Sequence, residues 1–225
     1  MLINLVIKIH MTTRKKYKTR ATGALLDSGE RLFGVRLYSD VSLEEICADA
    51  GCKIGQFTYH FHNKHNFLRA CVLRRAPQLC EERKKLLENY IQLVGIENVQ
   101  LEPLLRAFID PFITKAMGGD PGWRNYARFL ATIVWWENAA EIIAQGFDAT
   151  AKPYLESFQI ALDGMNEDKA ARCFQFMLAC LYNSVVEDKR LEKLTEGRSR
   201  SENMESYYKI LIPFLVAGFT RISKL

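Results

Sequence analysis

Hydrophobic residues recur along the chain at the spacing of an α-helix, and no stretch alternates convincingly as a β-strand would. In residues 18–33, for example, the apolar positions fall near one stripe and the lysines and arginines lie elsewhere. In the second half of the chain the same pattern predicts helices over residues 101–117, 122–144, 146–163, 167–187 and 202–223. The predicted fold class is therefore all-α.

Two short helices follow the first one. Ser42 and Glu45 are spaced as a capping box, in which each side chain binds a free backbone N–H at the start of a helix. Gly51 suits the end of that helix, and a second short helix is expected over Lys53–His60 after a turn of a few residues. Two short helices joined in this way are typical of a helix-turn-helix.

A longer fourth helix is predicted from Lys64 to about Val94, with Asn63 as its cap. We expect it to be kinked or broken near Pro77, because proline lacks the backbone N–H that a helix needs.

Composition indicates a globular chain, since 48% of its 225 residues are hydrophobic and 25% are charged. The first ten residues lack the features of a signal peptide, and no stretch approaches a membrane span. The six cysteines form no CxxC pair, so they are expected to be reduced, buried thiols in a cytoplasmic protein. No membrane partner is predicted.

Positive charge is concentrated in the first third of the chain. Residues 12–75 contain 12 Lys and Arg against 6 Asp and Glu, whereas the remainder is close to neutral. A polyanion partner is the natural inference for this third. The alternative is a basic surface that only contacts solvent.

Three segments resemble the DNA-binding domain of the tetracycline-repressor (TetR) family. They are LLDSGERLF at 25–33, SLEEICADAG at 42–51 and GQFTYHFHNKHNFL at 55–68. The chain departs from the family at Ser28 and Gly29, where alanine is usual, at Leu37, where glycine is usual, and at Thr58, where an aromatic is common. The resemblance implies a helix-turn-helix domain over 12–63 and a helical effector-binding and dimerisation domain over 64–225.

In this arrangement Phe57 and Phe61 anchor the recognition helix, and its polar side chains face the major groove of double-stranded DNA. Gln56 is suited to pair with adenine and Lys53 to donate to guanine. Tyr59, His60 and Lys64 are expected to contact phosphates. The predicted DNA-binding residues are Lys53, Gln56, Thr58, Tyr59, His60, Lys64 and Ser42, with Lys15 and Lys16 in a basic N-terminal arm.

The resemblance also implies that a small-molecule effector binds among the middle helices, which are rich in aromatic residues. The aromatics favour an apolar or aromatic effector, although such residues at helical spacing are often plain core. The expected pocket walls are Trp123, Tyr126, Phe129 and Trp136, with Arg106, Arg128 or Asn138 as polar anchors.

The last two long helices are expected to form a four-helix bundle with those of a twofold mate, giving a homodimer that binds a palindrome. The predicted interface residues are Phe174, Met177, Leu178, Leu181, Leu211, Phe214 and Leu215. The predicted function is a repressor that an effector releases from its operator. Two alternatives stay open, namely an activator with the same domains and a helical adaptor that binds protein instead of DNA.

No catalytic motif is apparent, so no enzyme activity is predicted. His60, His62 and His65 are close together in the sequence, but they overlap the family's recognition-helix motif. We therefore predict no metal site and no cofactor.

Overall fold

The computed structural model describes residues 20–186 and 189–225, and these residues form helices and connecting turns without any β-strand. The all-α prediction is confirmed. The helices are α1 (20–33), α2 (Leu43–Asp49), α3 (Ile54–Phe61), α4 (Lys64–Val94), α5 (Leu101–Met117), α6 (Pro121–Ile133), α7 (Ala140–Ala161), α8 (Glu167–Asn183), α9 (Arg190–Leu194) and α10 (Met204–Ser223).

The predicted capping box starts α2. The Ser42 hydroxyl accepts from the Glu45 N–H at 3.1 Å, and the Ser42 N–H donates to the Glu45 carboxylate at 2.7 Å. Arg36 also contacts this carboxylate at 2.7 Å, and the arginine and the capping bonds together lower the pKa of Glu45 to about 2. The start of the helix-turn-helix is thus fixed by local bonds that the sequence already contains.

An aromatic cluster holds α1, α3 and α4 together. The ring of Phe67 from α4 lies 5.0 Å from that of Phe57 and 4.8 Å from that of Phe61, centroid to centroid, and Phe33 from α1 packs on its other side. All four side chains are buried. The first turns of α4 therefore belong to the core of the helix-turn-helix.

Ser28 and Gly29, which stand in α1 where the TetR-family pattern usually has alanine, each have a local structural reason. Ser28 is buried, and its hydroxyl donates to the backbone oxygen of Ile46 in α2 at 3.2 Å. Gly29 lies against α4, where an added Cβ would stand 2.6 Å from the ring of Phe67 and 2.8 Å from the sulfur of Cys71. Helix α1 therefore approaches α4 closely at a point where no side chain fits.

Helix α4 continues through Pro77, so the predicted break at this residue is wrong. Pro77 lies on the exposed side of the helix, and the buried stripe passes it on the other side through Ala76 and Leu79. One helix of 31 residues thus extends from the helix-turn-helix to the helices of the C-terminal part, against which it packs.

The boundary between α6 and α7 was predicted at about residue 145 and lies instead at residues 134–139. The chain turns here because Trp136 adopts an extended conformation and its ring packs on Tyr38, with 4.5 Å between centroids. Gly146 lies inside α7, where Leu73 of α4 would be only 3.2 Å from an added Cβ. This glycine permits close packing of two helices.

The C-terminal helices differ from the prediction at their ends. Helix α8 stops at Asn183 instead of residue 187, and a short helix, Arg190–Leu194, precedes the polar run. None of the described helices is long and apolar enough to span a bilayer. The domain boundary at residue 63 stays a prediction. Helix α4 begins just after it and packs against both the helix-turn-helix and the C-terminal helices.

Candidate functional site

Helix α3 exposes one polar face and buries the other. Phe57 and Phe61 face the aromatic cluster, whereas Lys53, Thr58 and Tyr59 are exposed, with Tyr59 62% accessible. The helix is short and firmly anchored, and its exposed side chains project from a single surface. This is the geometry by which a recognition helix enters a major groove.

Two of the predicted DNA-binding side chains also bond to the backbone at the start of α3. The Gln56 side-chain oxygen accepts from the Lys53 N–H at 2.8 Å, and the Thr58 hydroxyl donates to the Ile54 oxygen at 3.2 Å. Gln56 is half-buried as a result. In this conformation its amide nitrogen, rather than its oxygen, is the group available to a base edge.

His60 and Lys64 are engaged by the protein itself. The His60 ring nitrogen lies 3.3 Å from the Thr22 hydroxyl of α1. The Lys64 ammonium donates to the Tyr38 backbone oxygen and lies 4.2 Å from the centroid of the Tyr38 ring. Partial burial lowers the pKa of Lys64. Both residues brace the helix-turn-helix, and their predicted phosphate contacts would require these bonds to be replaced.

Most of the predicted arm, including Lys15 and Lys16, lies outside the described residues. On the described surface, Arg31 pairs with Asp49, and Arg36 pairs with Glu45 at 2.7 Å. The positive charges of Arg31 and Arg36 are thus partly compensated on the surface of the helix-turn-helix. Ser42 is exposed at the start of α2, which orients backbone N–H groups outward as well as its hydroxyl.

A buried carboxylate ties α1 to α4. The Glu30 carboxylate is 1% exposed and lies 3.2 Å from the Arg74 guanidinium and 3.1 Å from that of Arg75. Burial raises the pKa of Glu30, and the two arginines oppose this effect. Arg75 in turn lies over the Trp123 ring of α6, 5.3 Å from its centroid. The helix-turn-helix is thereby linked to both α4 and α6.

A cavity of about 220 Å³ opens between α4, α5, α7 and α8 and the turn after α6. Its apolar lining is formed by Phe108, Val134, Trp135, Ile143, Phe147, Ala151, Phe174 and Leu178. Its polar lining is formed by Arg83, Asp148, Gln175 and Tyr182. An aromatic cavity with a few polar groups is the usual form of a small-molecule site.

Arg83 is the buried polar group of this cavity that the sequence analysis missed. It is 2% exposed, its Nε donates to the Phe108 backbone oxygen at 2.8 Å, and its guanidinium carbon lies 3.7 Å from the Phe108 ring centroid. Its Nη2 is buried without a hydrogen-bond partner among the described residues. A signal was present, because Arg83 lies four residues from both Leu79 and Leu87 on the inward stripe of α4.

The aromatic residues predicted as pocket walls do not line this cavity. Tyr126 and Phe129 are fully buried in the filled core, and the Tyr126 hydroxyl donates to the Val72 oxygen at 2.6 Å. Trp123 lies over the Lys115 ammonium, 4.6 Å from its ring centroid, and Trp136 packs on Tyr38 as described. The walls are supplied instead by α4, α5, α7 and α8 and by the turn that follows α6.

The predicted polar anchors also lie elsewhere. Arg106 pairs with Glu102 at 2.7 Å and donates to the Tyr208 hydroxyl at 2.9 Å, and Asn138 is exposed. Neither borders the cavity. Ligand contacts by these residues stay a prediction that would require a site distinct from this cavity.

A second depression of about 460 Å³ lies between the α5–α6 turn and the start of α10. Its rim is mostly exposed polar residues, including Asp120, Glu202 and Glu205. It would bury much less of a ligand than the cavity beside Arg83. Within the described residues, no cluster of His, Cys, Asp and Glu side chains is arranged to hold a metal ion.

The sequence from residue 106 to residue 218 matches the family model of the tetracyclin-repressor-like C-terminal domain. This match spans half of the chain and includes every cavity-lining residue except Arg83 of α4. The chain belongs to the tetracycline-repressor family. It is therefore a DNA-binding transcriptional regulator, and the resemblance found in residues 25–68 is consistent with this assignment.

Two crystal structures are similar to this TetR-family chain. One, described as a TetR-family transcriptional regulator from Mesorhizobium loti MAFF303099, has 17% identity and a TM-score of 0.47, with 89% of this chain and 97% of that chain covered. The other, a transcriptional regulator from Pseudomonas aeruginosa PAO1, has 16% identity and a TM-score of 0.48, with 92% and 94% covered. Among curated proteins, none matches the chain.

In this TetR-family chain the predicted dimer residues divide into three groups. Met177, Leu181, Leu211 and Leu215 are buried within the protomer, where α8 packs on α10, so they are not accessible to a mate. Phe174 and Leu178 are half-buried and border the cavity, and only Phe214 is exposed. The outer face of the two helices also carries the apolar residues Phe176 and Ile210, and exposed Val186 follows the end of α8.

Proposed function

We propose that this chain is a homodimeric repressor that binds a palindromic operator through α3 and is released by a small molecule in the cavity beside Arg83. The observation that carries the proposal is the exposed face of α3, which presents Lys53, Thr58 and Tyr59 from a helix anchored by buried phenylalanines. Membership of the TetR family supports the DNA-binding role.

The homodimer is supported by the outer face of α8 and α10. Phe214 is 64% exposed and Ile210 is 70% exposed on α10, and Phe176 is 59% exposed on α8. Three large apolar side chains exposed on two adjacent helices are costly to leave in water. A twofold mate would cover them and would bring two copies of α3 to one side of the assembly. The interface proposed from the structure is therefore this outer face, with Phe214 retained from the sequence prediction.

Release by an effector is supported by the continuity of α4. The same helix carries Phe67 in the core of the helix-turn-helix and Arg83 in the cavity. A ligand that moves α4 would move the seat of α3, and Glu30 would carry part of this displacement into α1. For such release, the ligand must bind the conformation that does not bind DNA more tightly, by about 1–3 kcal/mol.

The DNA-binding role is tested with a duplex recovered from a random pool by the purified protein. Binding is measured by fluorescence anisotropy for the wild type and for Lys53→Ala and Tyr59→Ala. Loss of a base or phosphate contact should weaken binding by about tenfold for each variant. Lys85→Ala is the matched control, because it removes one exposed positive charge from α4 far from α3. Wild-type affinity in both α3 variants would contradict the assigned face.

The homodimer is tested by light scattering on a size-exclusion column. Phe214→Glu should give a monomer, since a charge would be buried at the interface. Ile160→Glu is the control, because Ile160 is 49% exposed on α7 and is not part of the proposed interface. A dimer that persists in Phe214→Glu, or one that is lost equally in Ile160→Glu, would refute the proposed interface.

A further inference from the structure

Among the described residues, Arg83 is a buried cation that forms no ion pair with a carboxylate. The titratable groups that interact with it are the hydroxyls of Tyr182, Tyr154 and Tyr126 and the thiol of Cys80, none of which is a carboxylate. Burial lowers the pKa of Arg83, but an arginine remains charged in a protein interior. By contrast, the neighbouring Arg74 pairs with acidic residues. An uncompensated buried charge is destabilising unless a partner arrives from outside.

The guanidinium is already oriented by the protein. Its Nε is fixed on the Phe108 oxygen at 2.8 Å, and its plane is held against the Phe108 ring. Nη2 has no partner among the described residues, although it is buried. An unused donor on a charged guanidinium suits a carboxylate oxygen, which accepts strong charge-assisted hydrogen bonds.

The rest of the lining restricts what can accompany the anion. Phe147, Phe174 and Trp135 form apolar walls, and a volume of about 220 Å³ lies below the ~300–1,000 Å³ usual for drug-sized ligands. Asp148 also borders the cavity, so a single guanidinium must offset any further negative charge that enters. The lining thus favours a small monoanion with an apolar body over a phosphate dianion.

We propose that the effector is a small monocarboxylic acid, whose carboxylate binds the Arg83 guanidinium and whose apolar body lies among Phe147, Phe174 and Trp135. This inference rests on the proposed function, because it specifies the chemistry of the molecule that releases the DNA. It adds a negative charge to the expected apolar or aromatic effector, since a buried cation lines the aromatic cavity.

The test is calorimetric titration of the full chain with 3-phenylpropanoate, its neutral amide and inorganic phosphate as probes. The wild type should bind the acid at least about tenfold more tightly than the amide, because only the acid pairs with the buried charge. Equal affinity for acid and amide, no binding of the acid, or phosphate binding as tight as that of the acid would overturn the proposal. This comparison needs no variant.

Two variants separate this role from a structural one. Arg83→Met keeps an unbranched, mostly apolar side chain and removes the charge, so it should lose the preference for the acid. Its thermal midpoint without ligand should be unchanged or higher, because a buried unpaired charge is removed. Arg172→Met is the control: it removes an exposed arginine of α8 that pairs with Asp168 and does not border the cavity, and it should keep the wild-type preference. The same acid preference in Arg83→Met, or its loss in Arg172→Met, would contradict the assignment.

DNA binding measured in parallel distinguishes the two proposals. The acid should release the selected duplex from the wild type and leave Arg83→Met bound. If the duplex binds and the acid neither binds nor releases it, the acid assignment fails and the DNA-binding role stands. If the acid binds but no duplex is bound even at low salt, the site stands and the proposed regulatory function fails.

Discussion

Replacement of Gly29 by alanine should destabilise the protein, although alanine is the better helix former. The added Cβ would lie 2.6 Å from Cζ of Phe67, whereas carbon atoms normally approach to about 3.5–4.0 Å. Either the ring or α1 must therefore move by about 1 Å. The ring cannot move easily, because it packs on Phe57 and Phe61 in a filled aromatic cluster.

The magnitude follows from two opposing terms. Forcing a methyl group into a packed interior costs about 1–3 kcal/mol, and exchanging glycine for alanine in a helix contributes about 1 kcal/mol. Gly23 of the same helix provides the reference, because a Cβ added there meets no described atom within 4 Å. Gly23→Ala should thus gain the helical term alone. The two variants should differ in unfolding free energy by about 1–3 kcal/mol, with Gly29→Ala the less stable.

Thermal and denaturant unfolding of both variants and the wild type measure this difference. For a chain of this length, 1 kcal/mol corresponds to about 2–4 °C in Tm. Because Phe67 also supports α3, the DNA affinity of Gly29→Ala should fall relative to that of Gly23→Ala. Equal stability of the two variants would refute the close approach of α1 to α4 described here.

Four further predictions concern individual side chains. Tyr126→Phe removes the hydroxyl bonded to the Val72 oxygen and should lower the free energy of unfolding by about 0.5–1.5 kcal/mol in urea; an unchanged midpoint would contradict this bond. Glu30→Gln weakens the links from α1 to two arginines of α4 and should cost about 1.5–3 kcal/mol in the same assay, and a neutral effect would argue against their importance. Ser42→Ala removes the cap of α2 at a cost of about 0.5–2 kcal/mol, measured by thermal melting. The pKa of Glu45 is lowered from 4.5 to about 2, so the stability that its carboxylate contributes to the folded protein is complete above pH 4.5 and is lost as the pH falls toward 2. Glu45→Gln should therefore lack this part of the pH dependence of Tm.

The sequence by itself determined the features that depend on neighbouring residues. The capping box of Ser42 and Glu45 and the cap of Asn63 lie within one turn of the helices they start, so their bonds form wherever those helices form. The inward positions of Phe57 and Phe61 follow from their spacing in the same way. The fold class and the exposed face of α3 could therefore be predicted from the order of residues.

The tertiary structure decided which inward-facing residues meet and whether they leave space between them. Tyr126 and Phe147 both lie in the aromatic-rich middle of the chain, yet the first fills the core and the second lines the cavity. Gly146 lies inside α7, and only the approach of α4 gives it a packing role. In the sequence, Arg83 is one of several charged residues of a long helix, and the packing of the neighbouring helices buries it. These outcomes depend on contacts between residues far apart in the chain, which the local pattern does not encode.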